Sequence, residues 1–248
     1  MSKGQLGGIA VAVTVLVAVG LLIWRLEAAA FDASPLLTGV YAVTGAPTGY
    51  DPLTEQELAA VTQAALGAPA VRAATAGADV TPPEVLLVER HAAGKAAYGK
   101  GSWPRQGDVY LYDYATDTLI HTTVDVQSGD VITVERVQGV QLPLTAQEEQ
   151  RALALVAADT NLWADVTARY QHITGEALTT LAQLQVKVSV FHADVMPTLV
   201  NAAAQACGQH RCAQVLLFTT EKTLLELTPI VDLSQGQVVQ VLEAALHE

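Results

Sequence analysis

Two similar phrases of eight residues occur in this chain, one at its midpoint and one near its end. Residues 124–131 read Val-Asp-Val-Gln-Ser-Gly-Asp-Val, and residues 231–238 read Val-Asp-Leu-Ser-Gln-Gly-Gln-Val. Each phrase places a glycine-containing turn between two Val-rich stretches, and glycine readily adopts the positive φ that such a turn needs. We therefore expect two β-hairpins, which close two consecutive and related modules.

A helix start of the same kind stands in front of each hairpin. Thr54 with Glu57, and Thr145 with Glu148, have the Thr-x-x-Glu spacing of a capping box, and apolar residues at helical spacing follow both. Between helix and hairpin, stretches rich in Val, Leu and Tyr alternate as strands do. We predict strands at residues 84–90, 107–114, 118–126 and 131–137, then at 184–191, 215–219, 223–231 and 238–242, with further helices near 161–170 and 197–206.

One helix followed by four antiparallel strands makes each module a two-layer α+β unit. The predicted organisation is an N-terminal transmembrane helix with its flanks at 1–30, a linker at 31–50, a first module at 51–140, and a second module with a helical insert at 141–248. A chain of 248 residues, 51% of them hydrophobic, is long enough to bury two such cores.

The predicted transmembrane helix rests on residues 7–24, which carry no charge and lie between Lys3 and Arg25. A stretch of this length can cross a bilayer, and Trp24 suits the interfacial belt. We expect an uncleaved single-pass membrane anchor, with the body on the extracytoplasmic side, either periplasmic or at the cell surface. A cleaved export signal is the alternative, because residues 28–30, Ala-Ala-Ala, offer an A-x-A site.

The charge balance argues against nucleic acid as a partner. Lys and Arg number 13 against 25 Asp and Glu, which gives a formal net charge of −12. An acidic chain does not attract phosphate backbones. The sequence also lacks a Lys/Arg cluster that would bind anionic lipid head groups.

The two cysteines, Cys207 and Cys212, are separated by four residues that include a glycine. A turn of this length can bring their Cβ atoms within bridging distance, and an exported body would allow oxidation, so a disulfide is predicted. Two free thiols are one alternative. A metal site of Cys207, His210 and Cys212 is another, but three ligands within six residues make a poor tetrahedral set. We predict no metal site.

Three tyrosines, Tyr110, Tyr112 and Tyr114, alternate along one predicted strand and therefore share a face directed away from the helix. Trp103 precedes them. Because Trp and Tyr often anchor interfaces, these four residues form a possible interaction face. Packing within the chain, against a neighbouring strand or the second module, is the alternative, as is stacking on a ligand or glycan.

The sequence contains no G-x-G-x-x-G, P-loop, G-x-S-x-G or H-E-x-x-H motif. Its six histidines are scattered, and His121, beside Thr123 on a predicted strand, fits a surface pair better than a general base. We therefore expect no catalytic residues and no cofactor.

Two segments resemble the openings of the two small N-terminal domains of copper amine oxidases. They are residues 50–57, Tyr-Asp-Pro-Leu-Thr-Glu-Gln-Glu, and residues 139–149, Gly-Val-Gln-Leu-Pro-Leu-Thr-Ala-Gln-Glu-Glu. Residues 107–137 are similar to the sheet of the first of these domains, and the resemblance extends over residues 50–242. It implies that both modules have the cystatin-like fold of those domains.

The same resemblance does not imply oxidase activity. A copper amine oxidase needs a large C-terminal β domain with an Asn-Tyr-Asp/Glu motif, whose Tyr becomes the quinone, and a His-x-His pair among the copper ligands. This sequence has no Asn-Tyr pair and no His-x-His, and we expect it to end before such a domain begins. Copper, quinone and oxidase activity are therefore not expected.

These observations favour a membrane-anchored, non-catalytic interaction protein, an accessory or structural subunit whose partners are other, membrane-embedded protein subunits. A cystatin-type peptidase inhibitor is one alternative, although the Gln-x-Val-x-Gly inhibitory hairpin is absent. An auxiliary partner of a separately encoded amine oxidase is another, suggested only by the resemblance, since fold alone does not determine function.

Overall fold

The computed structural model describes residues 47–74, 82–92, 94 and 103–243. The chain from Pro47 onward groups into one compact unit, which contains both modules. Residues 1–46, which include most of the predicted linker, lie outside the described residues.

The first module begins with two helices and continues as an antiparallel sheet whose four strands are adjacent in chain order. Val109, Leu111 and Ile120 on the helix side of the sheet pack against Val61 and Ala65, which gives a closed core. The elements are α1 (Glu55–Gly67), α2 (Pro69–Ala74), β1 (Glu84–Arg90), β2 (Gln106–Asp113), β3 (Thr118–Asp125) and β4 (Val131–Gln138).

The second module repeats this plan, with a second antiparallel sheet in chain order and its own core. Its elements are α3 (Ala146–Ala158), α4 (Thr160–Thr174), β5 (Gln185–Val190), β6 (Cys212–Phe218), β7 (Leu227–Asp232) and β8 (Gln237–Glu243). The predicted α+β class with two four-stranded antiparallel sheets is confirmed for these parts of the chain.

Both repeated sequence features form the predicted local structure. The capping boxes are present at the starts of α1 and α3. The two repeated phrases form the hairpin turns between β3 and β4 and between β7 and β8, where Gly129 and Gly236 have φ of 75° and 68°. Each hairpin also has a register shift near its turn. The duplication therefore extends to backbone geometry.

Two predicted elements differ from the structure. The helix predicted near residues 197–206 is wrong, since this insert has only 3₁₀ turns at Ala193–Val195 and Ala204–Ala206. The side-chain amide of Asn201 donates to the carbonyl of Val239 at 3.0 Å, and this bond holds the insert against β8. The strand predicted from residue 223 begins only at Leu227, because Lys222 and Glu226 have positive φ and interrupt the extended backbone.

The prediction of a transmembrane helix is corrected. Among the residues that the structure describes, no helix combines the length and apolarity that crossing a bilayer requires. The assignments of a single-pass membrane protein and of a membrane location are therefore wrong for this part of the chain, and the segment 7–24 on which they rested lies outside it.

Candidate functional site at the module interface

A fully buried arginine, Arg211, lies directly before β6. Its Nε and Nη2 atoms donate to the two carboxylate oxygens of Glu148, the second bond at 2.9 Å. The remaining N–H groups donate to Gln141 Oε1 at 3.2 Å and to the carbonyls of Leu142 and Pro143 at 2.9 and 3.0 Å. A guanidinium has five N–H donors, so Arg211 has none left for a ligand.

Glu148 is held in place by the start of its own helix. It accepts the backbone N–H of Thr145 at 2.7 Å, while its own N–H donates to Thr145 Oγ1 at 3.1 Å. Burial alone would raise the pKa of Glu148, but the hydrogen bonds and charge of Arg211 outweigh burial and hold this pKa below its usual value. Glu148 is therefore a buried anion whose charge Arg211 neutralises.

Tyr114 of the first module reaches the same carboxylate. Its hydroxyl donates to Glu148 Oε1 at 2.7 Å and accepts from Arg151 Nη2 at 2.6 Å. Arg151 also donates to Glu84 Oε2 at 2.9 Å, and its guanidinium carbon lies 4.7 Å from the centroid of the Tyr114 ring. Burial, and then the charge of Glu148, raise the pKa of Tyr114. Tyr114 thus joins the first module to the capping box of the second.

Replacing Tyr114 by Phe will lower the free energy of unfolding by about 1.5–3 kcal/mol, because it removes a hydrogen bond to a buried carboxylate. The ring and its cation–π contact with Arg151 are retained, so the loss reports on the hydroxyl. Urea-induced unfolding measures it. Tyr50→Phe, which changes an exposed ring, is the matched control and should be neutral. Equal stability of the two variants would contradict this account of the contact.

Tyr112 lies beneath Arg211, with the guanidinium carbon 5.5 Å from its ring centroid, and is 1% exposed. Its hydroxyl donates to Asp117 Oδ1 at 3.2 Å, and its ring makes an edge contact with Tyr114 at 4.9 Å. Burial is the main cause that raises the pKa of Tyr112. Tyr112 and Tyr114 therefore pack within the chain, against the second module, as the alternative interpretation of the sequence had it.

The other two residues of the predicted interaction face lie elsewhere. Trp103 is buried, with its ring 5.6 Å from that of Tyr50. Tyr110 is half-buried and stacks on His121 at 4.5 Å. The four residues do not form one continuous exposed surface, and a docking role for Tyr110 stays a prediction.

A second polar contact joins the modules at the β2–β3 turn. Asp117 Oδ1 accepts from the hydroxyl of Ser234. Asp117 Oδ2 lies 3.7 Å from Nε2 of His210, and Nδ1 of the same ring lies 2.7 Å from Asp232 Oδ2. The hydrogen bond with Asp232 raises the pKa of His210, and the charges of Asp232 and Asp117 add to this, whereas burial lowers it.

Cys207 and Cys212 are joined in a disulfide, with Cα atoms 5.4 Å apart. The bond closes a short loop that carries His210 and Arg211, and both of these residues contact the first module. Both sulfur atoms of the alternative metal set are used in this bond. In the described ranges, no group of three His, Cys, Asp or Glu side chains could hold a metal ion.

The first module contains the same arginine arrangement. Arg105, directly before β2, donates to both carboxylate oxygens of Glu57 at 2.6 Å and to the carbonyls of Asp51 and Pro52 at 3.0 and 2.8 Å. Hydrogen bonds from Arg105 are the main cause that lowers the pKa of Glu57 to about 2. Both glutamates end the same pattern, Pro-Leu-Thr-x-Gln-Glu. We call each pair of arginine and capping-box glutamate an arginine clamp.

A third polar cluster lies on the face of the first sheet that is turned away from α1. The buried carboxylate of Asp108 contacts Nδ1 of His91 and Nε2 of His121, both at 2.9 Å, and accepts from Thr123 Oγ1 at 2.9 Å. Thr123 and the two histidines satisfy this buried carboxylate, as buried polar groups require. His121 therefore belongs to a cluster around a buried carboxylate, and not to the surface pair that its strand position suggested.

No protein-family model and no curated protein matches the sequence. Among solved structures, the copper-containing benzylamine oxidase from Hansenula polymorpha matches with a TM-score of 0.51. The chain shares part of the copper amine oxidase fold. The match covers 80% of this chain and 30% of the oxidase chain, at 17% sequence identity. The resemblance that residues 50–57 and 139–149 suggested is confirmed, and identity this low establishes the fold alone.

The sequence patterns did not indicate a role for Arg105 or Arg211. The capping boxes of the copper amine oxidase-like modules were predicted, but with Glu57 and Glu148 as helix caps only. An alignment of the two modules on their Pro-Leu-Thr-x-Gln-Glu segments would have shown that each has an arginine directly before its second strand.

Proposed function

We propose that this chain is a non-catalytic protein-interaction module that binds a partner protein along β4 of the first module. The structural match covers 30% of an oxidase chain, which supports the view that this chain corresponds to a non-catalytic part of such a protein. The polar side chains at the module interface support it too, because their hydrogen-bonding groups are directed at one another within the chain. These side chains hold the two modules together, and none of them is directed at a substrate.

The observation that carries the proposal is the exposure of β4. Among the described strands, β4 pairs only with β3 and so forms an edge of the first sheet. Ile132 and Val137 are 50% and 41% exposed, and Val140 just beyond the strand is exposed as well. An uncovered edge with exposed apolar side chains is a template for pairing with another strand.

The charged residues on β4 leave this edge accessible. Arg136 is turned towards α2, where it donates to the carbonyl of Ala70 at 2.6 Å. Glu135 lies 3.7 Å from His121, its partner on the neighbouring strand β3. Of the other edge strands, β1 has one exposed large apolar side chain, Leu87, and β5 and β8 have none among their described residues. We infer that the edge used for docking is β4.

The partner that fits this edge is an extended protein segment with apolar side chains at alternate positions. In such strand addition, backbone hydrogen bonds supply affinity and side-chain pockets supply specificity. The net charge of −12 favours a partner surface that is not acidic.

The test is affinity capture from the native source with the full chain as bait, in unmodified and substituted forms. Ile132→Lys and Val137→Lys place a charge on the edge, and both should lose the partner that the unmodified chain recovers. Val195→Lys and Leu199→Lys change exposed apolar residues of the 3₁₀ insert and are the matched controls. Exposed substitutions leave stability within about 0.5 kcal/mol, so all four variants should fold.

Loss of the partner from the insert variants, with retention by the β4 variants, would contradict the proposal. Capture of a quinone-containing amine oxidase that depends on β4 would extend the proposal to the role of an auxiliary oxidase partner, which the shared fold suggests. Capture of a cysteine protease that the chain inhibits equally well with Lys at position 132 would favour the peptidase-inhibitor alternative and contradict docking along β4.

A further inference from the structure

The ring of His210 lies between carboxylates of two different modules. Nδ1 is 2.7 Å from Asp232 Oδ2, at the end of β7 in the second module. Nε2 is 3.7 Å from Asp117 Oδ2, in the β2–β3 turn of the first module. The side chain of His210 is about a quarter exposed, so water and protons reach it.

The two nitrogens respond differently when the ring loses a proton. Asp232 is fully buried, and its Oδ1 accepts from the N–H of Gln235 at 2.9 Å, so its Oδ2 needs the Nδ1–H of His210. The proton that leaves is therefore the one on Nε2. Neutral His210 then presents a lone pair to Asp117, so the contact of His210 with Asp232 remains while its attraction for Asp117 is lost.

The other groups that contact His210 and Asp117 are uncharged. From β2, Tyr112 donates its hydroxyl to Asp117 Oδ1, and Ser234 of the β7–β8 turn donates to the same oxygen. The amide of Gln235, in the same turn as Ser234, lies 3.4 Å from His210 Nδ1. The neighbouring Arg211 is paired with Glu148 of α3. The charged groups that face the ring are thus the carboxylates of Asp117 and Asp232.

We propose that His210 is a pH-sensitive latch between the two modules, which attracts Asp117 in the β2–β3 turn of the first module when it is protonated and loses this attraction when it is neutral, while the hydrogen bond from Ser234 to Asp117 remains. The latch acts on this turn alone, because the contact of Tyr114 with Glu148 does not pass through His210. The attraction between the β2–β3 turn and the second module would therefore differ between solutions in which His210 is protonated and solutions in which it is neutral.

The direction of the effect follows from the raised pKa of His210. A histidine whose pKa is higher in the folded chain than its ordinary value of about 6.5 contributes stability that is fully present below that value. This contribution is lost as the pH rises through the raised pKa. The latch is therefore closed below the ordinary pKa of histidine and opens as the pH rises through the raised pKa of His210.

The experiment is an NMR titration of the full chain with labelled histidines, in which His210 is assigned by its absence from His210→Gln. We expect Asp117→Asn to lower the titration midpoint of His210 by about one pH unit, because it removes one facing charge. Asn tolerates the positive φ of 49° at this position, so the turn is retained. Glu135→Gln, which removes a carboxylate beside His121 instead, is the matched control and should leave the midpoint unchanged.

The backbone amides of residues 116–118 supply the second readout. They should shift with the midpoint of His210 in the unmodified chain and lose this response in His210→Gln. The amides of residues 127–129, in the other hairpin of the same module, should not follow it. An unchanged midpoint in Asp117→Asn, or turn amides that do not respond to His210, would overturn the proposal.

Discussion

Replacing Arg211 by Met will lower the free energy of unfolding by about 3–5 kcal/mol, which is the usual cost of removing one partner from a buried ion pair. The substitution leaves Glu148 buried as an anion without its cation. It also leaves the carbonyls of Leu142 and Pro143 without their donor. Urea-induced unfolding followed by circular dichroism measures the change.

Arg169→Met is the matched control, because Arg169 pairs with Glu226 at 3.5 Å in a partly exposed position. Exposed pairs contribute about 0–1 kcal/mol, so this variant should be close to the unmodified chain. Adding Glu148→Leu to Arg211→Met should recover part of the loss, since no buried charge then remains. A loss under 1 kcal/mol for Arg211→Met would contradict the role of the clamp.

Replacing Cys207 and Cys212 together by Ser will lower the free energy of unfolding by about 2 kcal/mol, the entropy expected for so short a closed loop. The two cysteines are only five positions apart, and their loop carries His210 and Arg211. Because the bond constrains residues that join the modules, its effect should not simply add to that of Arg211→Met. Comparing the single, double and triple variants by urea unfolding gives the coupling.

The control for the disulfide uses a dithiol reductant. It should lower the stability of the unmodified chain to that of the serine variant and should leave the serine variant unchanged. Unmodified protein that shows two reactive thiols before reduction, or that has the same stability as the serine variant, would rule out this contribution.

The sequence predicts the backbone plan well because the signals involved are local. Thr54 with Glu57, and Thr145 with Glu148, encode helix starts within four residues, and the turns at Gly129 and Gly236 need only one residue able to adopt positive φ. These features also carried the resemblance to copper amine oxidases, which the structural match confirms.

The clamps could not be predicted in the same way because their partners are distant in sequence. Glu148 and Arg211 are 63 positions apart, and Glu57 and Arg105 are 48 apart. A capping-box glutamate looks complete with its own threonine, so nothing local indicates that it is also buried and needs a cation. The same holds for Tyr114, whose alternation with Tyr112 suggests an outer face but not which body covers it.

The insert of the second module was mispredicted for a related reason. Residues 197–206 have helical composition, yet Asn201 bonds to Val239 and Gln240 of β8, and these tertiary contacts override local propensity. The transmembrane helix was predicted from the uncharged apolar stretch 7–24 between Lys3 and Arg25. This stretch lies outside the described residues, and the described part of the chain provides no spanning helix.

The most direct test of docking along β4 is site-specific photo-crosslinking of the full chain in its native source. A photoreactive residue at position 137, on the exposed edge, should form an adduct with one partner protein, and the same residue at position 199, in the exposed insert, should form none. An adduct from position 199 together with none from position 137 would show that the chain binds its partner through a different surface.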